Sequence, residues 1–437
     1  MSKKYDTTII GGGISGAALL YVLSKYSDIE NIALIEKEEQ IAMGASNKNN
    51  NSQTLHFGDI ETNYTLDKAK KVKEAAEMVV NYIENHKQEN LYSKTHKMVL
   101  AVGEEEVERL EDRYDKFKEL FPKLKKARRE ELKKIEPNLV KQRDEDVPLL
   151  ALVTSDGYIL NYGKLARSFV QHAKESNKDV DVFLEEKVKS IEKNSDFRIK
   201  TKKREINTKT IAVAAGGYSL KFAYQLGYGK DLIILPVEGS FFCAEDKVNG
   251  KVYMMQDPKL PFAAIHADPD VEDPTETRFG PVSKVLPMLE KRNWRSIIDF
   301  FDLFEFRWDA IASLFSIISD PVYLRYVVMQ IIYALPIIGK LAYLKEARKI
   351  VPSIKYSDLK LDTSIGEIRP QIVNVKERSL DLGEAKIIGD DIIFNITPSP
   401  GASVCLQNAK KDAETTLGFL NKDFYKEKFE QKFGSRK

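Results

Sequence analysis

The chain has 437 residues, 43% of them hydrophobic and 31% charged, which is enough apolar material for a full core and too much chain for one ordinary domain. Two interleaved lobes with a cleft between them are expected, and 68 basic against 66 acidic residues, a formal charge of +2, argue against nucleic acid as the main partner. Two cysteines, Cys243 and Cys405, argue against a disulfide framework or a four-ligand zinc site and fit a reducing compartment with the cytoplasm as default; no metal site is expected.

The first residues carry lysines but run into a glycine-rich turn instead of a long apolar stretch, so no export signal is expected. Residues 7–10 are a short β-branched run leading into Gly11-Gly12-Gly13-Ile14-Ser15-Gly16, and AALLYVLSKY then reads as a helix. In that strand, turn and helix, Gly11 allows the turn, Gly13 admits a pyrophosphate, and Gly16 lets the helix pack on the strand. The helix N-terminus offers unpaired N–H groups to the phosphates. A second strand at residues 31–35 ends at Glu36, twenty residues past Gly16, where a carboxylate can accept from a ribose diol. A glycine turn without ligand is the alternative.

Residues 66–140 read as charged amphipathic helices, broken by a short strand near 98–102. The basic stretch 116–134 is interspersed with glutamates and reads as a solvated helix face. His86, His96 and His172 lie in charged stretches and are expected at the surface. Residues 180–217 alternate as a small antiparallel sheet ending in a buried strand and Gly216-Gly217, a pair that permits close approach to a ligand or simply turns the chain. Residues 284–350 are rich in aromatics, with Arg325, Lys340, Lys345, Arg348 and Lys349 nearby, and suit either a buried helical cap or a membrane interface. The longest uncharged run, 326–339, is too short to span a bilayer. Residues 391–396 form a last strand, and residues 397–403 then precede a helical run whose N-terminus suits negative charge at a flavin N1 and C2 carbonyl, or is an ordinary capped helix. A nicotinamide fold usually completes itself in one stretch, whereas FAD, being longer, recruits distant segments such as these.

The motifs resemble the FAD-dependent oxidoreductases of the glycine oxidase and D-amino-acid oxidase superfamily. NSQTLHFGDIETNYT (51–65), PKLPFAAIHADPD (258–270), TRFGP (277–281), GEIRPQ (366–371) and ITPSPGASVCLQNA (396–409) are similar to the shorter bacterial malate:quinone oxidoreductases over nearly the whole chain. The resemblance implies non-covalent FAD, oxidation of L-malate to oxaloacetate, and electron delivery to membrane quinone, hence peripheral contact with the inner face of the cell membrane. L-2-Hydroxyglutarate dehydrogenases share the loop at 51–56, where Gln53 replaces their usual glycine. They, an amino-acid oxidising relative, and a non-catalytic flavin-bound interaction protein are the rival readings.

The fold expected is α/β: a Rossmann-like FAD-binding domain, mostly parallel with a β-meander, at 1–65, 150–217 and 362–437, interleaved with an α+β substrate domain at 66–149 and 218–361. Candidate cofactor-binding residues are Gly11, Gly13, Ile14, Ser15, Gly16, Glu36, Lys37, Ser52, Gln53, Thr54, Val188, Gly216, Ser399, Gly401, Ala402 and Ser403. Oxidising a 2-hydroxy acid needs a base for the hydroxyl proton and cations for the carboxylates. His266, in an apolar segment shortly before Arg278, is the candidate base, with His56 its rival beside the flavin loop. Arg278 and Arg369 are the candidate carboxylate clamps, since a guanidinium binds a carboxylate through two parallel hydrogen bonds; structural ion pairs are the alternative.

Overall fold

A computed structural model describes residues 3–86, 88–256, 264–303, 307–335, 337–381, 385–397 and 401–434. Two sheets organise them. The first is built on Lys4–Ile10, a strand buried at six of its seven positions and flanked in parallel by Asn31–Ile35 and Glu205–Val213. Asp179–Phe183 adds in parallel outside Asn31–Ile35, and Ile392–Ile396 adds in parallel outside Glu205–Val213. Continuous apolar runs such as NIALI and IIFNI are what a parallel sheet covered on both faces requires. Ser190–Lys193, Phe197–Lys200 and Glu205–Val213 form an antiparallel meander on the same sheet. The helix Ile14–Tyr26 packs against Tyr162–Lys174 and Cys405–Leu420, which cover one face.

The second sheet has ten strands, antiparallel except where Lys251–Met254 runs parallel to Tyr92–Val102. Its central strand, Leu232–Glu245, pairs with Glu276–Val285 on one side and with Ile368–Asn374 and Lys360–Asp362 on the other. Alternation along the strands sends Met98, Val252, Ala267, Phe279 and Phe242 to one face, where Tyr343 of the helix Ile338–Ile350 stacks on Phe242 at 4.4 Å. The intervening residues, among them Lys97, Lys251, Tyr253, His266, Asp268 and Arg278, occupy the opposite face. That face is turned to the loop after the second strand of the nucleotide lobe.

The mixed α/β architecture and the meander are as expected, but the strands divide differently. Leu149–Leu160, read as nucleotide lobe, lies in the second sheet, because its apolar run LLAL pairs with Tyr92–Val102 along nearly its whole length. Ile368–Asn374 and Ser379–Asp381, also read as nucleotide lobe, join that sheet too, beside Lys360–Asp362 at the expected boundary. The three histidines expected at the surface are each half-buried. His172 Nδ1 lies 2.6 Å from the Tyr82 hydroxyl, the His86 and His172 rings are 4.5 Å apart, and His96 Nε2 sits 2.8 Å from Glu136 Oε1. Charged neighbours in sequence had masked these inward-facing positions.

Candidate active site

Two positions of the glycine turn admit no side chain. Gly11 has φ +111°, and a Cβ there would lie 2.4 Å from the Ala214 carbonyl oxygen. A Cβ on Gly16 would lie 2.0 Å from the carbonyl oxygen of Gly11. Gly13 caps the helix Ile14–Tyr26 without a side-chain hydrogen bond, and the Ile14 N–H donates to Ser46 Oγ at 2.9 Å. Glu36 ends the second strand: its Oε2 accepts from the Gly12 N–H at 2.6 Å and its Oε1 from the Glu38 N–H at 3.0 Å. Burial pushes its carboxyl up, and those backbone donors pull the other way.

Other segments converge on this turn. Ser15 Oγ is 3.3 Å from Thr397 Oγ1, joining the first helix to the C-terminal loop. Gly216 has φ +59° with open space where a Cβ would stand. Val188 packs under the sheet edge with Ile10, Ile35 and Val213. Lys37 pairs with Glu38 at 3.3 Å and with Glu290, which ties the lobes together. Gly401 and Ser403 are buried, and Ala402 packs on the first core; Ser399 lies outside the described residues. Crowded glycines, a helix N-terminus whose cap residue has no side chain, and an open backbone cradle at Gly216 fit a dinucleotide.

The loop at 52–56 crosses between the lobes. Ser52 accepts from Lys251 Nζ at 3.2 Å through its carbonyl oxygen. Gln53, at φ +56°, turns its side chain away to stitch the lobes, donating to Asp270 Oδ2 at 2.7 Å and accepting from the Val271 N–H at 2.8 Å. Thr54 Oγ1 lies 2.7 Å from the Tyr253 hydroxyl. The His56 N–H donates to Ser403 Oγ at 3.0 Å, so the two loops expected to cover a flavin touch.

Tyr253 stands between the two candidate histidines. Its ring stacks on His266 at 4.6 Å and meets His56 edge-on at 6.4 Å. Each histidine has its own buried carboxylate: His266 Nδ1 is 2.7 Å from Asp268 Oδ2, and His56 Nδ1 is 2.5 Å from Glu61 Oε1. Burial alone would push the Glu61 carboxyl up; the hydrogen bond and charge of His56, with Lys97, hold it down at about 2.

The arginines part company. Arg278 contacts Asp270 at 2.5 Å and Glu276 at 2.8 Å, and two carboxylates leave its guanidinium no call for a third. Its surroundings are those of the structural ion pair, not of a clamp. Arg369 forms no ion pair or hydrogen bond with a carboxylate among the described residues, and its guanidinium lies directly over Gly239, where a Cβ would be 2.4 Å away. Gly239 and Phe241 are two apart on the central strand, and Phe241 reaches the His266 ring at 6.0 Å. Arg369 and His266 therefore share one sheet face. Burial lowers the Arg369 pKa, opposed by Tyr326 and Glu238; Glu238 is itself held by Lys291 at 2.7 Å.

Lys251, Tyr253, Asp268 and Ser46 escape the sequence reading. His266-Ala267-Asp268 did carry a usable signal, since residues two apart on a strand share a face; Lys251 joins them only through cross-strand register.

A nucleotide turn closed by remote loops beneath a mainly antiparallel sheet defines the fold of FAD-dependent oxidases. Reduced L-α-glycerophosphate oxidase from Mycoplasma pneumoniae, solved with FAD bound, superposes with a TM-score of 0.66 at 16% identity, covering 97% of this chain and 96% of that one. The chain belongs to the malate:quinone oxidoreductase (Mqo) family, whose family model matches residues 3–433. It is 40% identical over 440 residues to a probable malate:quinone oxidoreductase of Campylobacter jejuni and 41% identical over 440 residues to the malate:quinone oxidoreductase of Helicobacter pylori, with 98% of each chain covered in both cases.

Proposed function

We infer that the protein oxidises malate to oxaloacetate with FAD as its cofactor and quinone as electron acceptor. The observation that carries this reading is an Arg369 guanidinium with no carboxylate partner among the described residues, on the same sheet face as His266 and opposite loops that fit a flavin. Gly11, Gly13, Ile14, Ser15 and Gly16 would hold the pyrophosphate, Glu36 the ribose, and the loops at 52–54 and 401–403, with Gly216, the ring system. Bound FAD supplies the acceptor for the hydride leaving C2 of the 2-hydroxy acid. Arg369 grips one carboxylate and thereby fixes the reacting carbon, while His266 removes the hydroxyl proton. The turn is tested by Gly16→Ala, whose methyl would collide with the Gly11 carbonyl oxygen at 2.0 Å. The variant is expected to purify with little flavin, measured by releasing the chromophore on unfolding; a full complement would remove the turn from the cofactor site.

Quinone dissolves in the bilayer, and the helical segment supports attachment there. Trp294, Trp308 and Phe315 are 77%, 81% and 73% exposed, and Ile298, Ile337 and Ile338 join them on the surface. So much exposed aromatic area suits a partner surface, and cations such as Arg348 and Lys349 in the last turn of Ile338–Ile350 suit anionic headgroups. No single described helix is long and apolar enough to cross a membrane; Trp308–Ile318 and Pro321–Tyr333 together pass that test but meet at 84°. The reading is therefore peripheral attachment to the cytoplasmic leaflet, with the aromatic rings sunk to headgroup depth. Trp294→Ser with Trp308→Ser should weaken flotation with anionic liposomes by on the order of tenfold per tryptophan and leave turnover with a water-soluble acceptor intact. Unchanged flotation would count against this face.

A further inference from the structure

Lys97 and Lys251 are cross-strand partners, both wholly buried. An ammonium group survives inside a protein only beside a counter-charge. Lys97 has Asp59 Oδ1 at 2.8 Å, and Lys251 has Asp268 Oδ1 at 3.3 Å. The other Asp268 oxygen faces His266 Nδ1 at 2.7 Å, and the Tyr253 hydroxyl donates to it at 3.4 Å. His266 Nδ1 is close to that oxygen but makes no full hydrogen bond with it, and Asp268 Oδ1 makes none with Lys251, so both atoms are buried without a hydrogen-bond partner among the described residues. Catalytic contacts are often misaligned until substrate arrives. Burial pushes the Asp268 carboxyl up, and Lys251 and the hydrogen-bonding groups beside it more than offset that push. A buried lysine, aspartate and histidine in contact is an expensive way to fill a core that apolar residues would fill as stably, so stability does not account for it.

We propose that Asp268 is a positioning residue for His266 and that Lys251 is its fixed counter-ion. The carboxylate claims the proton on Nδ1, which fixes the tautomer and leaves Nε2 as the basic nitrogen. As the C2–H bond breaks and its electron pair leaves as hydride, the O–H electrons become the second bond of the new carbonyl, and the hydroxyl proton passes to Nε2. The imidazolium that results is stabilised by Asp268, as Asp268 is by Lys251, and later loses its proton to water. This assignment rests on His266 being the base.

Steady-state kinetics of the flavin-loaded protein with malate and a water-soluble quinone test it. Asp268→Asn should lower kcat by about 10²–10⁴-fold, the range of a lost or mis-set general base, with KM changed by less than about threefold. Asp268→Glu should recover part of that loss. In a His266→Gln background, Asp268→Asn should cost nothing further, because it acts through the imidazole. Near-normal kcat in Asp268→Asn, or losses that multiply in the double variant, would overturn the proposal. A His266→Gln protein with normal turnover would instead sink the underlying base assignment, a separate result. If Asp268→Asn strands Lys251 and prevents accumulation of flavin-loaded protein, the paired variant Asp268→Asn with Lys251→Met removes both charges. Full turnover in that pair would equally overturn the proposal.

Discussion

Replacing His266 by Gln is expected to lower turnover with malate by about 10²–10⁴-fold, equivalent to about 3–5.5 kcal/mol of barrier, while the protein keeps its flavin. Glutamine has similar reach and can still face Asp268 Oδ2, which lies 2.7 Å from the imidazole, but it cannot take a proton. Flavin retention follows because His266 sits on the second sheet, between Tyr253 and Phe241, and not in the turn at Gly11–Gly16. His56→Gln is the necessary companion. That residue has an equivalent partner in Glu61, at 2.5 Å, and touches the C-terminal loop through Ser403. If His56→Gln abolishes turnover and His266→Gln does not, the base is His56, and the stacked pair Tyr253–His266 is packing.

Arg369→Lys is expected to raise the KM for malate by about 10–10²-fold, since a point charge cannot replace two parallel hydrogen bonds to a carboxylate, with a cost of about 1.4–2.7 kcal/mol. The guanidinium has no carboxylate partner among the described residues, so its substitution breaks no ion pair among them and is expected to leave the fold little changed. Arg278→Lys should behave in the opposite manner. Asp270 at 2.5 Å and Glu276 at 2.8 Å hold that side chain, and through Asp270 it meets Gln53 of the crossing loop. Its loss should lower the thermal midpoint by about one to two degrees, corresponding to about 1–2 kcal/mol, with KM within about twofold. A large KM effect at Arg278 and none at Arg369 would exchange their roles.

What the chain reveals before folding is set by how local each feature is. The turn at Gly11–Gly16 and the carboxylate at Glu36 are legible because strand, turn, helix and acid follow one another within one βαβ unit. Arg278 reads as a clamp because an arginine near a histidine looks free on paper, although Glu276, two residues earlier on the same strand, was a visible partner. Asp270 was not, since it reaches Arg278 from the neighbouring strand. Leu149–Leu160 could have joined either sheet, and only its pairing with Tyr92–Val102 decides. Lys251 is the clearest case of information absent from local sequence: nothing around KVYM marks a buried ammonium, and its neighbours Asp268 and Ser52 arrive from elsewhere in the chain.

Anaerobic titration of the purified protein with L-malate bears most directly on the account. One equivalent of malate should bleach the yellow flavin band, and an added quinone should restore it. A protein that takes up no flavin, or one whose flavin ignores malate yet is bleached by L-2-hydroxyglutarate or an amino acid, would contradict it.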